Sequence, residues 1–145
     1  MDKDTVLTPK WLFDELGLVF DLDPAHPPFE THVPCRKYYT VEDDGLAQDW
    51  DGLVWLNPPY SKPAPWVEKW LNHGDGLLLV QYSRAHWFMD LFNSNASVLS
   101  LDGARDKLFK FEKDGKPHGI FMPVALWAIG FQATKALGKL KGRIR

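Results

Sequence analysis

The chain has 145 residues, 45% of them hydrophobic, with seven Trp, one Cys and a formal net charge of −2. That size and apolar content suit a single domain over 1–145 with a core of its own, and one cysteine, Cys35, excludes an internal disulfide framework. No stretch approaches the roughly 18 apolar residues of a membrane span, and the opening Met1-Asp2-Lys3-Asp4 is no secretory leader, so a cytoplasmic location is expected.

Thr8 is a plausible N-cap and Pro9 a first helical residue for a short helix that Gly17 ends. Leu18 to Asp23 alternates toward its end and stops at Pro24, which predicts a strand. His26-Pro27-Pro28 and Pro34 predict a loop, Tyr38-Tyr39-Thr40 a short edge strand, and Gly52 to Leu56 a buried strand. Trp66 to Leu71 carries apolar residues on helical spacing and ends at His73-Gly74-Asp75-Gly76. Leu77 to Tyr82 is the clearest buried strand. Arg84 to Asn93 predicts a helix with Trp87, Phe88, Leu91 and Phe92 toward the core, and Ser97 to Leu101 another strand. Lys107 to Lys113 and Gly119 to Phe131, joined by the turn Asp114-Gly115-Lys116-Pro117, read as an antiparallel hairpin. The basic residues of 135–145 follow one another without an acid and form a tail that contacts phosphates or stays disordered. Alternating helices and strands predict an α/β fold, a mostly parallel sheet with helices on both faces and a C-terminal antiparallel hairpin.

Asn57-Pro58-Pro59-Tyr60 closes the strand at 52–56. Two consecutive prolines cannot continue a sheet, because each lacks an N–H donor and fixes φ. They make a stiff elbow at a strand's carboxyl end, where open α/β sheets place their ligands. One amide, one or two free carbonyls and one aromatic face are held there in fixed relation. That set suits an amine on a flat ring: Asn57 Oδ1 and the Pro58 carbonyl accept its two N–H bonds while Tyr60 stacks on the ring.

This tetrapeptide resembles motif IV of the S-adenosylmethionine (SAM)-dependent amino-methyltransferases. With Thr8 to Phe13, Phe20 to Ala25, Cys35 to Thr40 and Glu42 to Trp50 before it, the order is similar to the phage-type DNA adenine-N6 methyltransferase family. The resemblance covers the first half of the chain well and the second only in outline. It implies a Rossmann-like methyltransferase sheet, SAM as cofactor and a flipped-out adenine of double-stranded DNA as acceptor, with Asn57, Pro58, Pro59 and Tyr60 as the catalytic set. Asn57 leans toward adenine, since cytosine-N4 enzymes more often carry Ser at the first position.

On the cofactor side, Asp23-Pro24-Ala25 is similar to the acidic opening of motif I, and Asp23 is expected to accept from the methionine ammonium or the ribose. The glycines that normally follow are replaced by His26-Pro27-Pro28. Thr8-Pro9 looks like motif X, Asp43 or Asp44 is expected to accept from the cofactor's adenine amine, and Leu46 to lie against its ring. Ser61, Lys62, Arg84, Lys107 and Lys110, with Lys113, Lys116 and His118, form the candidate substrate set. Residues 1–60 carry twelve acids and four bases, whereas 61–145 carry seven acids and thirteen bases. Such asymmetry suits an acidic cofactor half and a basic DNA half. Trp11 and Trp66 are the tryptophans most open to ligand contact. His26, His32 and Cys35 match no common zinc spacing, and Cys35 lies in an unsuitable context for a nucleophile, so no metal is expected. Two other readings stand beside this one. The same fold could methylate RNA adenine, cytosine N4 or a protein glutamine, or the short chain could be a silent SAM- or DNA-binding remnant.

Overall fold

The computed structural model describes residues 7–101, 111–114, 116–118 and 123–143. They form one four-stranded sheet, one two-stranded sheet and four helices. The main sheet runs in the order β1 (Val54–Leu56), β2 (Gly76–Gln81), β6 (Val124–Ile129), β3 (Ser97–Leu101). β1 pairs with β2 in parallel, and β6 is antiparallel to both β2 and β3. The expected mostly parallel sheet is therefore a mixed one: β6 enters between β2 and β3 against both, so two of its three named ladders are antiparallel.

The expected hairpin of 107–113 with 119–131 stands in part: its turn and the strand at 111–113 are present, its partner is 116–118, and residues 107–110 and 119–122 lie outside those described. β4 (Phe111–Lys113) pairs with β5 (Lys116–His118) across the Asp114 turn as a separate ribbon, while β6 finds both its neighbours in the main sheet. The long apolar run that looked like one strand divides at Gly130, whose φ of 89° turns the chain out of β6. Beyond it the tail is not irregular but a helix, α4 (Phe131–Arg143). Ala133, Ala136, Leu137 and Leu140 supply its buried stripe at 3.6-residue spacing.

Helices cover both faces. α1 (Lys10–Leu16) and α4 pack with Phe20, Trp55, Leu77, Leu79 and Leu126 on one side. α2 (Ala64–His73) and α3 (His86–Phe92) cover Leu22, Val54, Leu56, Leu78, Val80 and Trp127 on the other. Alternate residues of β1 and β2 thus serve opposite cores, as the two-residue period of a strand requires. α2 ends as predicted, with Gly74 in the left-handed region and its N–H on the Trp70 carbonyl at 3.0 Å. Phe92, expected in the core, is 55% exposed, although its ring packs edge to face with Trp127, the ring centres 4.9 Å apart.

The segment before the sheet is less regular than predicted. Residues 20–23 make only single parallel bridges, Phe20 with Cys35, Leu22 with Val54 and Asp23 with Tyr38. The Asp21 and Leu22 amides both donate to the Leu53 carbonyl, at 2.8 and 3.3 Å, and Asp21 Oδ2 accepts the Leu53 N–H at 2.8 Å. This bulge-like insertion reverses the side-chain alternation. Phe20 and Leu22, two apart, consequently lie in opposite cores. The bulge also sets where Asp23 points.

Candidate active site at the edge of the sheet

The ends of 20–23, β1 and β2 meet at one edge, and four cavities ring it. The smallest, about 50 Å³, brings together Thr8, Asp23, Ala25, Trp55 and Asn57. A second of about 180 Å³ is lined by Pro24, Ala25, Thr40, Asp44, Pro59 and Trp66, among others. A third of about 150 Å³ lies between Pro58, Tyr60, Gln81, Ser83 and Trp87. The largest, about 650 Å³, opens outside the loop His26–Val33, against Cys35, Tyr38 and Thr40. The elbow separates three of these spaces: Asn57 faces the first, Pro59 the second, and Pro58 with Tyr60 the third.

Each side chain is held by a local cause. Pro9, not Thr8, is the N-cap of α1: it is extended (φ −68°, ψ 146°), and its carbonyl accepts the Leu12 N–H at 3.2 Å. Thr8, free of the capping position, is buried and lines the Asp23 cavity. Asp23 is 3% exposed. Its backbone is fixed on both sides, its N–H donating to Lys37 and its carbonyl accepting from Tyr39, each at 3.0 Å. Its carboxylate accepts the Ala25 N–H at 3.3 Å. Desolvation by burial pushes Asp23 up to about 7, with the Ala25 hydrogen bond opposing. Cys35, half-buried, is pushed up to about 11 by desolvation and by the nearby Asp23 charge, which keeps it a neutral thiol rather than a nucleophile.

Asn57 is half-buried and Pro58 buried. Among the described residues, no hydrogen bond engages the Asn57 amide or the Pro58 carbonyl. Tyr60 is 58% exposed, so its ring face is accessible. Desolvation of its hydroxyl raises the phenol's pKa, and a hydrogen bond with the Gln81 side chain opposes that rise.

The two acids after Thr40 separate in role. Asp43 Oδ2 accepts the Thr40 N–H at 2.9 Å and Thr40 Oγ1 at 3.3 Å, closing a capping box on the 3-10 turn Val41–Asp43. Asp44, at φ 53°, lines the second cavity. Leu46 lines none of the four cavities; its carbonyl accepts Lys69 Nζ. Gly45 meets the Pro24 carbonyl so closely that a Cβ would overlap it. Gly45→Ala is therefore expected to destabilise the fold by about 1–3 kcal/mol, read as a lower urea midpoint.

Of the candidate substrate residues, Ser61 and Lys62 are exposed on the turn before α2, and Arg84 is exposed just past β2. Lys113 and Lys116 flank the β4–β5 turn, the His118 side chain is not among those described, and Lys107 and Lys110 lie outside the described residues. Trp66 lines the second cavity, whereas Trp11 packs against the α1–α4 core. Four further residues reach this edge without having been singled out from sequence. Gly45 carried a signal, following two acids directly; Thr40, Gln81 and Trp87 are brought in by pairing and packing that no local pattern announces. Among the described residues, no three His, Cys, Asp or Glu side chains gather to hold a metal, and no helix is long and apolar enough to cross a membrane.

The family model for DNA N-6-adenine-methyltransferase (Dam) matches residues 1–116. The DNA N-6-adenine-methyltransferase of Haemophilus phage HP1 is 39% identical over 71 residues, which are 46% of this chain and 40% of that protein. That of Escherichia phage T1 is 31% identical over 90 residues, 57% of this chain and 37% of that protein. The matched stretches thus span well under half the length of these curated relatives. No solved structure matches the chain. The family match begins before Thr8 and runs past the elbow and β2, so every described wall of the four cavities lies within it, and the chain belongs to the DNA N-6-adenine-methyltransferase (Dam) family.

Proposed function

We propose that this chain is a SAM-dependent DNA methyltransferase that transfers a methyl group to adenine N6 of a base flipped out of double-stranded DNA. The observation that carries the reading is the pairing, at one sheet edge, of a buried carboxylate with an unengaged amide: Asp23 and Asn57 line the same cavity. Family membership supports the reaction class. The phage relatives support action in the cytoplasm of an infected or prophage-carrying bacterium. A sheet in which β6 alone runs against β1, β2 and β3 supports a Rossmann-like methyltransferase architecture for the domain.

The walls suit SAM in charge and polarity. Asp23 is a buried carboxylate raised by desolvation, and a cation beside it relieves that penalty. Thr8 and Pro9 flank this end. Pro24, Ala25, Pro59 and Trp66 make an apolar slot with Asp44 at its rim, which suits a flat ring carrying an amine. Asp43 and Leu46 act on this slot indirectly, through the turns they cap and anchor. Bound SAM supplies an electrophilic sulfonium methyl, so the chain need not supply a strong base.

The remaining work is positioning and electrostatic complementarity. Asn57 Oδ1 and the Pro58 carbonyl accept the two N–H bonds of the adenine amine. Those bonds draw the nitrogen toward a pyramidal shape and aim its lone pair at the methyl. Pro59 keeps the elbow stiff. Tyr60 stacks on the extruded base, and the surplus proton leaves the amine for water after transfer. Ser61, Lys62, Arg84, Lys107 and Lys110 contact phosphates, which gives affinity that falls with salt rather than sequence choice.

Tyr60→Ala is expected to weaken DNA binding and turnover by about 1–3 kcal/mol of stacking, while Tyr60→Phe stays near the wild type, as initial rates on a short duplex would show. Expression in a methylation-deficient bacterium, followed by adenine-methylation mapping of its DNA, tests the function as a whole. Methyl groups on adenine N6 support the reading. Methylation of RNA, cytosine or protein alone would redirect it to another acceptor, and no SAM binding at millimolar cofactor in calorimetry would indicate a silent remnant.

A further inference from the structure

Lys69 does not face any of the four cavities, yet it is tied to the wall of one. It stands on α2, one turn after Trp66 and on the same face. Its Nζ donates to the Leu46 carbonyl at 2.8 Å and to the Gln48 carbonyl at 2.6 Å. It also lies 5.2 Å from the centre of the Trp50 ring. Trp50 in turn donates Nε1–H to the Gly45 carbonyl at 2.9 Å and stacks on Trp66 at 6.3 Å. The Gln48 side chain reaches back to the Asp43 carbonyl at 2.8 Å.

These contacts converge on the 3-10 turn Gly45–Ala47. A turn that short has few hydrogen bonds of its own: the Ala47 N–H reaches the Asp44 carbonyl at 2.9 Å, and the Gln48 N–H reaches Gly45 only at 3.4 Å. A lysine ammonium over an indole face, donating to two backbone carbonyls, makes charge-assisted bonds stronger than neutral ones. Together they lock the turn to the helix that also carries Trp66. Asp44, Gly45 and Trp66 are three walls of one cavity.

We propose that Lys69 is a positioning residue for the methyl donor. It holds Asp44 and Gly45 at a fixed distance from Trp66, so that the slot between them is formed before the ring of the donor enters. The role rests on reading that slot as the donor's adenine site. Preformed walls lower the ordering cost of binding, so Lys69 acts on donor affinity and not on the transfer step.

The test uses the full chain as wild type, Lys69→Met and Lys69→Arg. Amide hydrogen exchange at Ala47 and Gln48 is followed without ligand, and SAM binding and initial rates on DNA are then measured. In Lys69→Met, exchange at both amides should rise, and Kd and KM for SAM should rise about tenfold, the scale of a lost charged hydrogen bond. Its kcat at saturating SAM should stay within about threefold of the wild type, and Lys69→Arg, which keeps two donors, should restore Kd to within about threefold. Faster exchange with unchanged Kd overturns the positioning role. Weaker binding with unchanged exchange overturns the clamp, as does an arginine variant as weak as the methionine one. If the wild type itself does not bind SAM, the reading of the slot fails and this role fails with it, an outcome distinct from a defect confined to the variants.

Discussion

Asn57→Ala is expected to reduce methyl transfer by at least about 10²–10³-fold in kcat while leaving SAM binding largely intact. The split follows from where the residue stands. Its amide lines the cavity shared with Asp23, but it lies on the elbow and not on the slot formed by Pro24, Asp44 and Trp66. In the proposed role, removing the amide deletes one of two acceptors for the amine, an interaction that would strengthen as positive charge develops on nitrogen. Loss of a contact made mainly in the transition state lowers kcat and kcat/KM together. Tritium transfer by Asn57→Ala at a near-wild-type rate would remove Asn57 from the chemistry. A parallel loss of SAM affinity would move it to the cofactor site.

Asp23 gives the second large effect, and it is a pH effect. Its carboxyl rises from 3.8 to about 7 in the folded chain. Below about pH 4 both folded and unfolded forms carry the proton, and the group costs nothing. Between about pH 4 and 7 the unfolded chain releases the proton while the folded chain keeps it, so stability falls as pH rises; above about 7 the whole penalty applies. A rise of that size corresponds to about 4 kcal/mol. Asp23→Asn should therefore flatten the fall in unfolding free energy from pH 4 to 8 and be more stable than the wild type at pH 8. Urea titrations at both pH values measure this. A cationic ligand reverses the sign for binding, because it favours the ionised carboxylate. SAM affinity of the wild type should rise with pH toward about 7 and level off above it, whereas Asp23→Asn should bind weakly at every pH. Wild-type affinity independent of pH between 5.5 and 8 would exclude Asp23 as the ammonium partner.

The strand at 77–82 and the helix at 66–71 were legible because each has one dominant period, unbroken apolar residues in β2 and helical spacing in α2. α4 was not, because Gly138 and Gly142 dilute its propensity and its lysines dominate the composition, so that its Ala133, Ala136, Leu137 and Leu140 stripe is masked. The same apolar run hid the break at Gly130. β6 could not be assigned its neighbours from sequence, since pairing with both β2 and β3 depends on the whole sheet. At the site, Asn57, Pro58, Pro59 and Tyr60 announce a turn by chemistry that is local. The aim of Asp23 is not local: it follows from the bulge in which Asp21 and Leu22 share the Leu53 carbonyl, some thirty residues away. The division of Asp43 from Asp44 was readable in principle, because Thr40 three residues before Asp43 has the spacing of a capping box.

The proposed methylation of adenine N6 in DNA is open to direct assay. Purified protein should be incubated with SAM and double-stranded DNA lacking adenine methylation, and the DNA digested to nucleosides and separated by mass. N6-methyldeoxyadenosine should accumulate with time, and at least about 10²-fold more slowly with Asn57→Ala. DNA that stays free of N6-methyldeoxyadenosine with wild-type protein that binds SAM, or label found only in another nucleoside, would contradict the proposal.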